Sequence, residues 1–420
     1  MKDNAVVTTG TLAAGESVAL LLDRTPFYGE QGGQVGDIGT VRTASGTDFE
    51  VEDTQRLGET VLHVGTLHEG ALAVGDAVDA VVTGSRRADI MKNHTATHLL
   101  NLALREVLGD HVEQKGSLVD EEKTRFDFSH DKPITAEQLQ EIERRVNSGI
   151  VAGQPVTAQV MPLAKAKELP GVRAVFGEKY PDPVRVVMIG AEKPEEVTAE
   201  MSTEFCGGTH VPQTGAIGYF KILSQEGVAK GIRRITAVTG KAAYADVQTR
   251  GALVDELAAG FQCRPDELPT RVTALQDQVK ALQAQLKKTV GAALTGVVDG
   301  VIASAPDVSG AKLVIAKLPD GASNDTVRTQ IDRVKQKCGS AFIVFGWSEG
   351  EGSVSILAAV TPDLVKRGVK AGDVVKQVAE VVGGKGGGKP DTAQAGGKEP
   401  AKLPDALKKA EELGRELLTK

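Results

Sequence analysis

The sequence is short of several things. It has three cysteines in 420 residues, too few for a disulfide framework, so the expected compartment is the reducing cytoplasm. Aromatic residues make up 4% of the chain. No apolar run approaches the roughly 18 residues that cross a bilayer, which excludes a membrane-spanning helix and a membrane partner. Residues 1–10 carry neither a basic stretch followed by an apolar one nor an Arg/Ser-rich amphipathic stretch, so no targeting peptide is expected there. Positive charge does not predominate: 49 Lys and Arg stand against 56 Asp and Glu, a formal net charge of −7. Such a surface does not attract nucleic acid as a whole, and any such contact needs local basic patches. The 48 glycines follow no Gly-X-Y period, and an apolar content of 41% excludes wholesale disorder.

What is present divides along the chain. Residues 1–85 read as short strands with Gly turns, as in a small β-barrel, with apolar runs at 18–22, 61–64 and 78–82. Residues 26–37 (PFYGEQGGQVGD) are too Gly-dense for regular helix and predict a loop whose backbone approaches something closely. Residues 86–240 read as an α+β block. Ile90, His94, His98 and Leu102 recur four apart and predict a helix over 88–108, stopped by Gly109. Phe126 and Phe128 alternate with charged neighbours, as in a strand. Thr135 with Gln138 forms a capping box opening a helix over 135–150.

Residues 241–292 form a helical connector. There Leu268, Val272, Leu275, Val279, Leu282 and Leu286 step by four and three residues, the a/d seam of a short coiled coil. The seam can pair with residues 243–257 in an antiparallel hairpin or join two subunits. Residues 293–398 carry buried-type strands with helices between them, an α/β domain. Residues 399–420 form a final amphipathic helical tail. The expected fold is therefore α+β and multidomain: an N-terminal β-barrel, a metal-containing α+β domain, a helical connector and an α/β C-terminal domain.

The sharpest chemical signal is His94-Thr95-Ala96-Thr97-His98. Spacing of i, i+4 puts both imidazoles on one helix face, a bite suited to a divalent metal. It is not the metalloprotease motif, because Thr95 stands where that motif needs its Glu base. The second half lies at Cys206-Gly207-Gly208-Thr209-His210. Together His94, His98, Cys206 and His210 offer three nitrogens and a thiolate, a borderline-soft tetrahedron that suits one zinc ion. Four protein ligands leave no open position for an activated water. Either the metal shapes the pocket, with water activated elsewhere, or one ligand, His210 or Cys206, is loose.

By periodicity alone Thr97, one residue before His98, and Gln114 read first as ordinary helix surface and loop, with polar groups of the same cleft as the alternative. Arg233 and Arg234 form a small basic cluster, either a solvated strand end or a phosphate contact. Residues 383–398 combine Lys385, Lys389 and Lys398 with bare Gly backbone, chemistry suited to a phosphate backbone. Residues 390–395 interrupt the Gly run, which predicts a defined loop rather than a linker. Cys263 and Cys338 have no partner at metal-ligand spacing and read as structural.

In this order, these motifs resemble the C-terminal half of alanyl-tRNA synthetase. The 26–37 loop resembles that family's barrel signature, and the two His/Cys motifs resemble the zinc motif of its editing domain. Residues 114–117 (QKGS), 125–130 (RFDFSH), 231–235 (GIRRI) and 238–240 (VTG) match the pattern between and after them. The 385–397 segment resembles the hallmark of its C-terminal domain, C-Ala. The family's ATP-binding core and acceptor-stem helices have no counterpart in the chain. The resemblance therefore implies a long-form stand-alone editing protein of the AlaX type, or part of a synthetase.

It further implies a deacylase that hydrolyses the ester of Ser-tRNA(Ala), and of Gly-tRNA(Ala), with no ligase activity of this chain alone. Zinc would sit on His94, His98, Cys206 and His210, and Thr97 and Gln114 would line the editing pocket beside Cys206. Arg233, Arg234, Lys385 and Lys389 are the expected tRNA contacts, and the C-terminal region the expected homodimer contact. The alternatives are a truncated ligase with the same editing activity and a non-catalytic zinc-containing tRNA-binding module. A related zinc fold edits mischarged threonyl-tRNA; the C-Ala-like segment argues against that.

Overall fold

Alternating apolar and polar residues give the first strands one buried face each, and they pair antiparallel. These are β1 (Thr11–Ala13), β2 (Ser17–Leu20), β3 (Gly39–Arg42), β4 (Asp48–Leu57), β5 (Thr60–Glu69), β6 (Ala71–Ala73) and β7 (Asp79–Val82). Five of them form a sheet in the order β2-β5-β4-β3-β7, and β1 pairs with β6. Phe27, Val41, Phe49, Val51 and Leu67 fill its core. The computed structural model describes residues 6–174, 179–348 and 352–420; residues 1–5, half of the stretch read for a targeting peptide, lie outside them. It is mixed α/β throughout, and its contacts divide it into two units, Met1–Leu257 and Ala258–Lys420. Among the described residues no helix is long and apolar enough to cross a membrane.

The rest of the first unit is built around one helix, α1 (Gly84–Leu108), closed by Gly109 at φ 113°. It is followed by β8 (Gln114–Val119), β9 (Thr124–Ser129), α2 (Ala136–Val151), β10 (Val156–Met161) and α3 (Leu163–Ala166). Then come β11 (Val184–Ile189), β12 (Ser202–Phe205), β13 (Phe220–Ala229), β14 (Ile232–Thr239) and α4 (Gly240–Gly260). The Thr135–Gln138 capping box opens α2 with both reciprocal bonds made. Strands β13-β14-β9-β8 form one antiparallel sheet, and Phe126, Phe128, Phe220 and Ile235 meet Leu100 and Leu104 of α1 and Ile142 and Val146 of α2. A smaller sheet, β10-β11-β12, has its own core around Val184, Val186 and Met188. Every residue of α1 from Asn93 to Asn101 is buried, polar ones included. Buried polar groups need partners, and here they point to a site.

In the second unit, α5 (Leu268–Ser304) starts with Pro269 in its first turn, where a missing N–H costs nothing. It runs past the expected boundary near 292 because Leu294 and Val298 anchor its last turns in the unit's core. Its seam residues Leu282 and Leu286 are each 65% exposed. The unit continues with β15 (Asp307–Val308), β16 (Ala311–Lys317), α6 (Asn324–Cys338), β17 (Ala341–Ser348), β18 (Val354–Val360) and α7 (Pro362–Lys366). It ends with α8 (Ala371–Val381), β19 (Lys385–Gly388), β20 (Thr392–Gly397) and α9 (Leu403–Thr419).

Phe342 and Val344 of β17 face the core shared with α8 and α9, while Ile343, Phe345 and Trp347 face the one shared with α5 and α6. Burial on both faces explains why these strands read as unbroken apolar runs. Only β16 and β17 pair in parallel, across α6; the other neighbours are antiparallel. The β17–β18 connection is too short for a parallel crossover, which takes a dozen residues or more. The Gly-rich segment expected as a loop is a hairpin, β19-β20, at the sheet edge, with Lys385 and Lys389 exposed. The expected C-terminal tail, α9, buries Leu403, Ala406, Ala410 and Leu413 against this sheet and belongs to its core.

Truncating Phe128, fully buried between sheet and helices, to Ala is expected to destabilise the first unit by about 3–5 kcal/mol. Calorimetry should show its transition at lower temperature; an unshifted transition would contradict this account of the core.

Candidate metal centre and its pocket

The middle of α1 projects His94 and His98 from one face, their rings stacked with centroids 5.2 Å apart. Strand β12 ends at Phe205 and hands the chain to Cys206 and the Gly-Gly turn that brings His210 back. The structure thus joins two motifs more than a hundred residues apart. The ligand atoms of His94, His98, Cys206 and His210 all lie within 4.8 Å of one another. Cys206 Sγ is 3.4 Å from both His94 Nε2 and His210 Nε2. A tetrahedral ion with N and S ligands at about 2.0–2.3 Å sets those atoms about 3.3–3.6 Å apart, so Cys206 already stands at metal-binding separation from His94 and His210.

The tautomers follow from the hydrogen bonds. Thr95 Oγ1 donates its proton to the Met91 carbonyl at 2.9 Å, so it accepts from His210 Nδ1–H at 3.2 Å. His98 Nδ1–H donates to Glu204 Oε2 at 2.7 Å. His94 Nδ1–H donates to Gln34 Oε1 at 2.6 Å. All three rings therefore carry the proton on Nδ1 and turn the Nε2 lone pair inward. His98 Nε2 is buried with no protein partner, as a ligand atom awaiting a metal would be. Donor set, spacing and orphaned nitrogen all fit a metal ion.

The electrostatics agree. Burial alone would raise the Cys206 thiol, but the His94 and His98 imidazoles beside it hold it well below its ordinary value, the state in which sulfur ligates. Burial works against charge on His98, yet Glu204 and Cys206 outweigh it and push that imidazole up to about 10, so a metal that takes Nε2 displaces a proton from it. Burial, helped by His94, drives His210 down to about 3.

Sequence reasoning missed the residues that orient the ligands. Glu204 is buried and also accepts from Asn101 Nδ2 at 2.9 Å and Arg173 Nη1 at 3.2 Å. Its signal was an acid two residues before Cys206. Gln34 comes from the 26–37 loop and also holds Thr209, through its backbone N–H at 2.9 Å and its hydroxyl at 3.0 Å. The backbone of that loop makes a close approach: a Cβ on Gly33 would collide with Ser117 and one on Gly36 with the Thr54 carbonyl, while on the 206–210 turn a Cβ on Gly208 would collide with the His94 ring and with Gln34 Oε1. Arg87 clamps the loop through Asp37, and Arg185 ties the Cys206 and Gly208 carbonyls at 2.7 and 2.9 Å.

A cavity of about 790 Å³ opens over the cluster, lined among others by Thr97, Gln114, Ser117, Tyr28 and Arg173. Thr97 and Gln114 thus share the cleft with Cys206. Gln114 Nε2 donates to Ser117 Oγ at 3.2 Å. Arg233 and Arg234 stand on β14 and do not line this cavity. Arg234 is paired with Asp127 through two bonds of 2.7 Å, and Arg233 donates to Gln225. Lys385 and Lys389 belong to the second unit.

Family models match three parts of the chain: tRNA synthetases class II (A) over residues 3–86, the threonyl and alanyl tRNA synthetase second additional domain over 184–236, and the DHHA1 domain over 310–416. An alanine-tRNA ligase of Ralstonia nicotianae is 50% identical over 94% of this chain and 43% of its own length. One of Thiobacillus denitrificans is 46% identical over 98% of this chain and 45% of its own. A crystal structure of the C-Ala domain from Aquifex aeolicus alanyl-tRNA synthetase aligns with 28% of this chain and 98% of its own, at 26% identity and a TM-score of 0.24. The chain spans less than half the length of the curated relatives it matches.

Removing the carboxylate that orients His98 should loosen the metal without removing a ligand. Glu204→Gln is expected to weaken divalent-metal binding by about 10–100-fold in chelator competition, with the far-ultraviolet spectrum unchanged. Unaltered affinity would show that the His98–Glu204 bond does not tune this site.

Proposed function

We propose, from the premise that this chain is homologous to the C-terminal portion of alanine-tRNA ligases, that its first unit is a hydrolase for mischarged tRNA(Ala). It would cleave the seryl ester of Ser-tRNA(Ala), and the glycyl ester as well, in the cytoplasm. The observation that carries this reading is the convergence of three Nε2 atoms and a depressed thiol beneath a cavity that also holds Thr97 and Gln114.

Zinc is the ion favoured by this borderline-soft set of three imidazole nitrogens and one thiolate sulfur, held by His94, His98, Cys206 and His210. When bound, it would supply fixed positive charge at the pocket floor. The chain's own residues do the discriminating. Serine differs from alanine by one hydroxyl, and a small apolar activation pocket separates the two poorly, so a second sieve is needed. Thr97 and Gln114 are its polar lining. A polar group that meets a methyl instead of a hydroxyl is left unpaired, at about 1–3 kcal/mol. Lys385 and Lys389 on the exposed β19-β20 hairpin, with Arg233 and Arg234, are the proposed tRNA contacts. A second grip remote from the ester raises its local concentration.

The coverage of less than half of each ligase supports a second reading, in which the chain is part of such a ligase and editing is the activity this part carries. A homodimer through the exposed α5 seam belongs to either reading. Light scattering should then give twice 44.0 kDa, and a monomer at all concentrations would exclude it.

The first test is serine release from Ser-tRNA(Ala), with Ala-tRNA(Ala) as control and Cys206→Ala alongside. Selective release by the wild type and none by the variant is the expected outcome. A wild type that binds tRNA but releases nothing would replace this reading by a binding module with a structural metal.

A further inference from the structure

Thr97 Oγ1 lies 2.8 Å from the Asn93 carbonyl and 2.6 Å from Thr124 Oγ1. A carbonyl only accepts, so the single hydroxyl proton of Thr97 goes to Asn93. The short contact to Thr124 then has one possible direction: Thr124 donates. Thr97 is left with its proton committed, one lone pair filled and one lone pair free, on a side chain that lines the cavity.

This arrangement is held from three sides. Thr124 is 1% exposed and opens β9, in register with Ala237 of β14 and Val119 of β8. Asn93, which takes the proton, is itself fixed, donating through Nδ2 to the Asp120 carbonyl at 2.8 Å and accepting at Oδ1 from Thr239 at 2.7 Å. The Thr97 hydroxyl therefore has little freedom to turn its proton toward a ligand.

We infer that Thr124 is a positioning residue that fixes the Thr97 hydroxyl as a pure acceptor, so that the pocket selects an aminoacyl group carrying a hydroxyl donor. The inference rests on the editing reading above and deepens it. A seryl side chain gives its hydroxyl proton to the free lone pair. An alanyl methyl covers that lone pair and returns nothing, and a glycyl group leaves it to water. The α-ammonium is also a donor, but every aminoacyl ester has one, so comparing esters separates the two uses. If Thr124 is replaced by an isostere without a hydroxyl, the Thr97 hydroxyl is held by the Asn93 carbonyl alone and can turn its proton toward a ligand, and discrimination falls.

The test measures kcat/KM for seryl, alanyl and glycyl esters of tRNA(Ala) with the zinc-loaded wild type, Thr124→Val, Thr124→Ser and Thr97→Val, with metal content and thermal midpoint recorded for each. Thr124→Val is expected to lower the seryl-over-alanyl ratio by about tenfold, the worth of one hydrogen bond, at unchanged metal content. Thr124→Ser restores the ratio. The Thr97→Val/Thr124→Val double variant is no less selective than Thr97→Val, because the two hydroxyls act as one device. An unchanged ratio in Thr124→Val, or an equal loss on all three esters, overturns the inference while leaving editing intact. A wild type that releases no amino acid overturns the editing reading and this inference with it. Should Thr124→Val not fold, Thr124→Cys, with its weak thiol donor, gives an intermediate ratio if the inference holds and the wild-type ratio if it does not.

Discussion

Three imidazoles each donate an Nδ1–H hydrogen bond to an oxygen on a different element: Gln34 in the Gly-rich loop, Glu204 on β12 and Thr95 on α1 itself. That constraint fixes the site. With Nδ1 committed, the Nε2 atoms of His94, His98 and His210 turn inward with Cys206 Sγ, and the four donor atoms lie within 4.8 Å of one another. It also explains why α1 is buried along its middle even where it is polar. The helix is the hub on which the loop before it and the strand after it are hung, and each hydrogen bond keeps a buried polar group paired.

The Gly-rich loop shows how such a hub constrains sequence elsewhere. Gln34 reaches His94 beside the bare Cα of Gly208, where a Cβ would collide with the His94 ring and with Gln34 Oε1. Asp37 and Arg87 lock the loop to the start of α1. The 26–37 loop thereby joins the first 85 residues to the candidate metal cluster, although the core of their sheet is separate from it. A similar economy governs the pocket wall: Thr97 is one residue from a ligand, and the hydroxyl network behind it ties α1 to β9 and β14.

Much of this was legible in the chain. The i, i+4 histidines, the Cys-Gly-Gly-Thr-His turn, the capping box at Thr135 and the alternation of Phe126 and Phe128 are local patterns, and each sits in the element its period demands. The structure departs from the reading where the deciding contacts are distant. The hairpin at 385–397 pairs along β18, which no local rule supplies. Helix α5 runs through its expected end because Leu294 and Val298 find a core made by later strands. The C-terminal sheet is mixed because a short connection after β17 turns the chain back antiparallel.

Sequence by itself determined which residue types are available for chemistry and on which local elements they ride, because helix and strand periods act over a few residues. Tertiary structure decided which of them meet. Gln34 and Thr124 carry no local signal of their role, and Glu204 only its place two residues before Cys206; they matter because folding sets a carboxylate, an amide and a hydroxyl against His98, His94 and Thr97 across 106, 60 and 27 residues of chain. Hydrogen-bond direction at a buried group depends on every partner in reach, and that census exists only once the chain has folded.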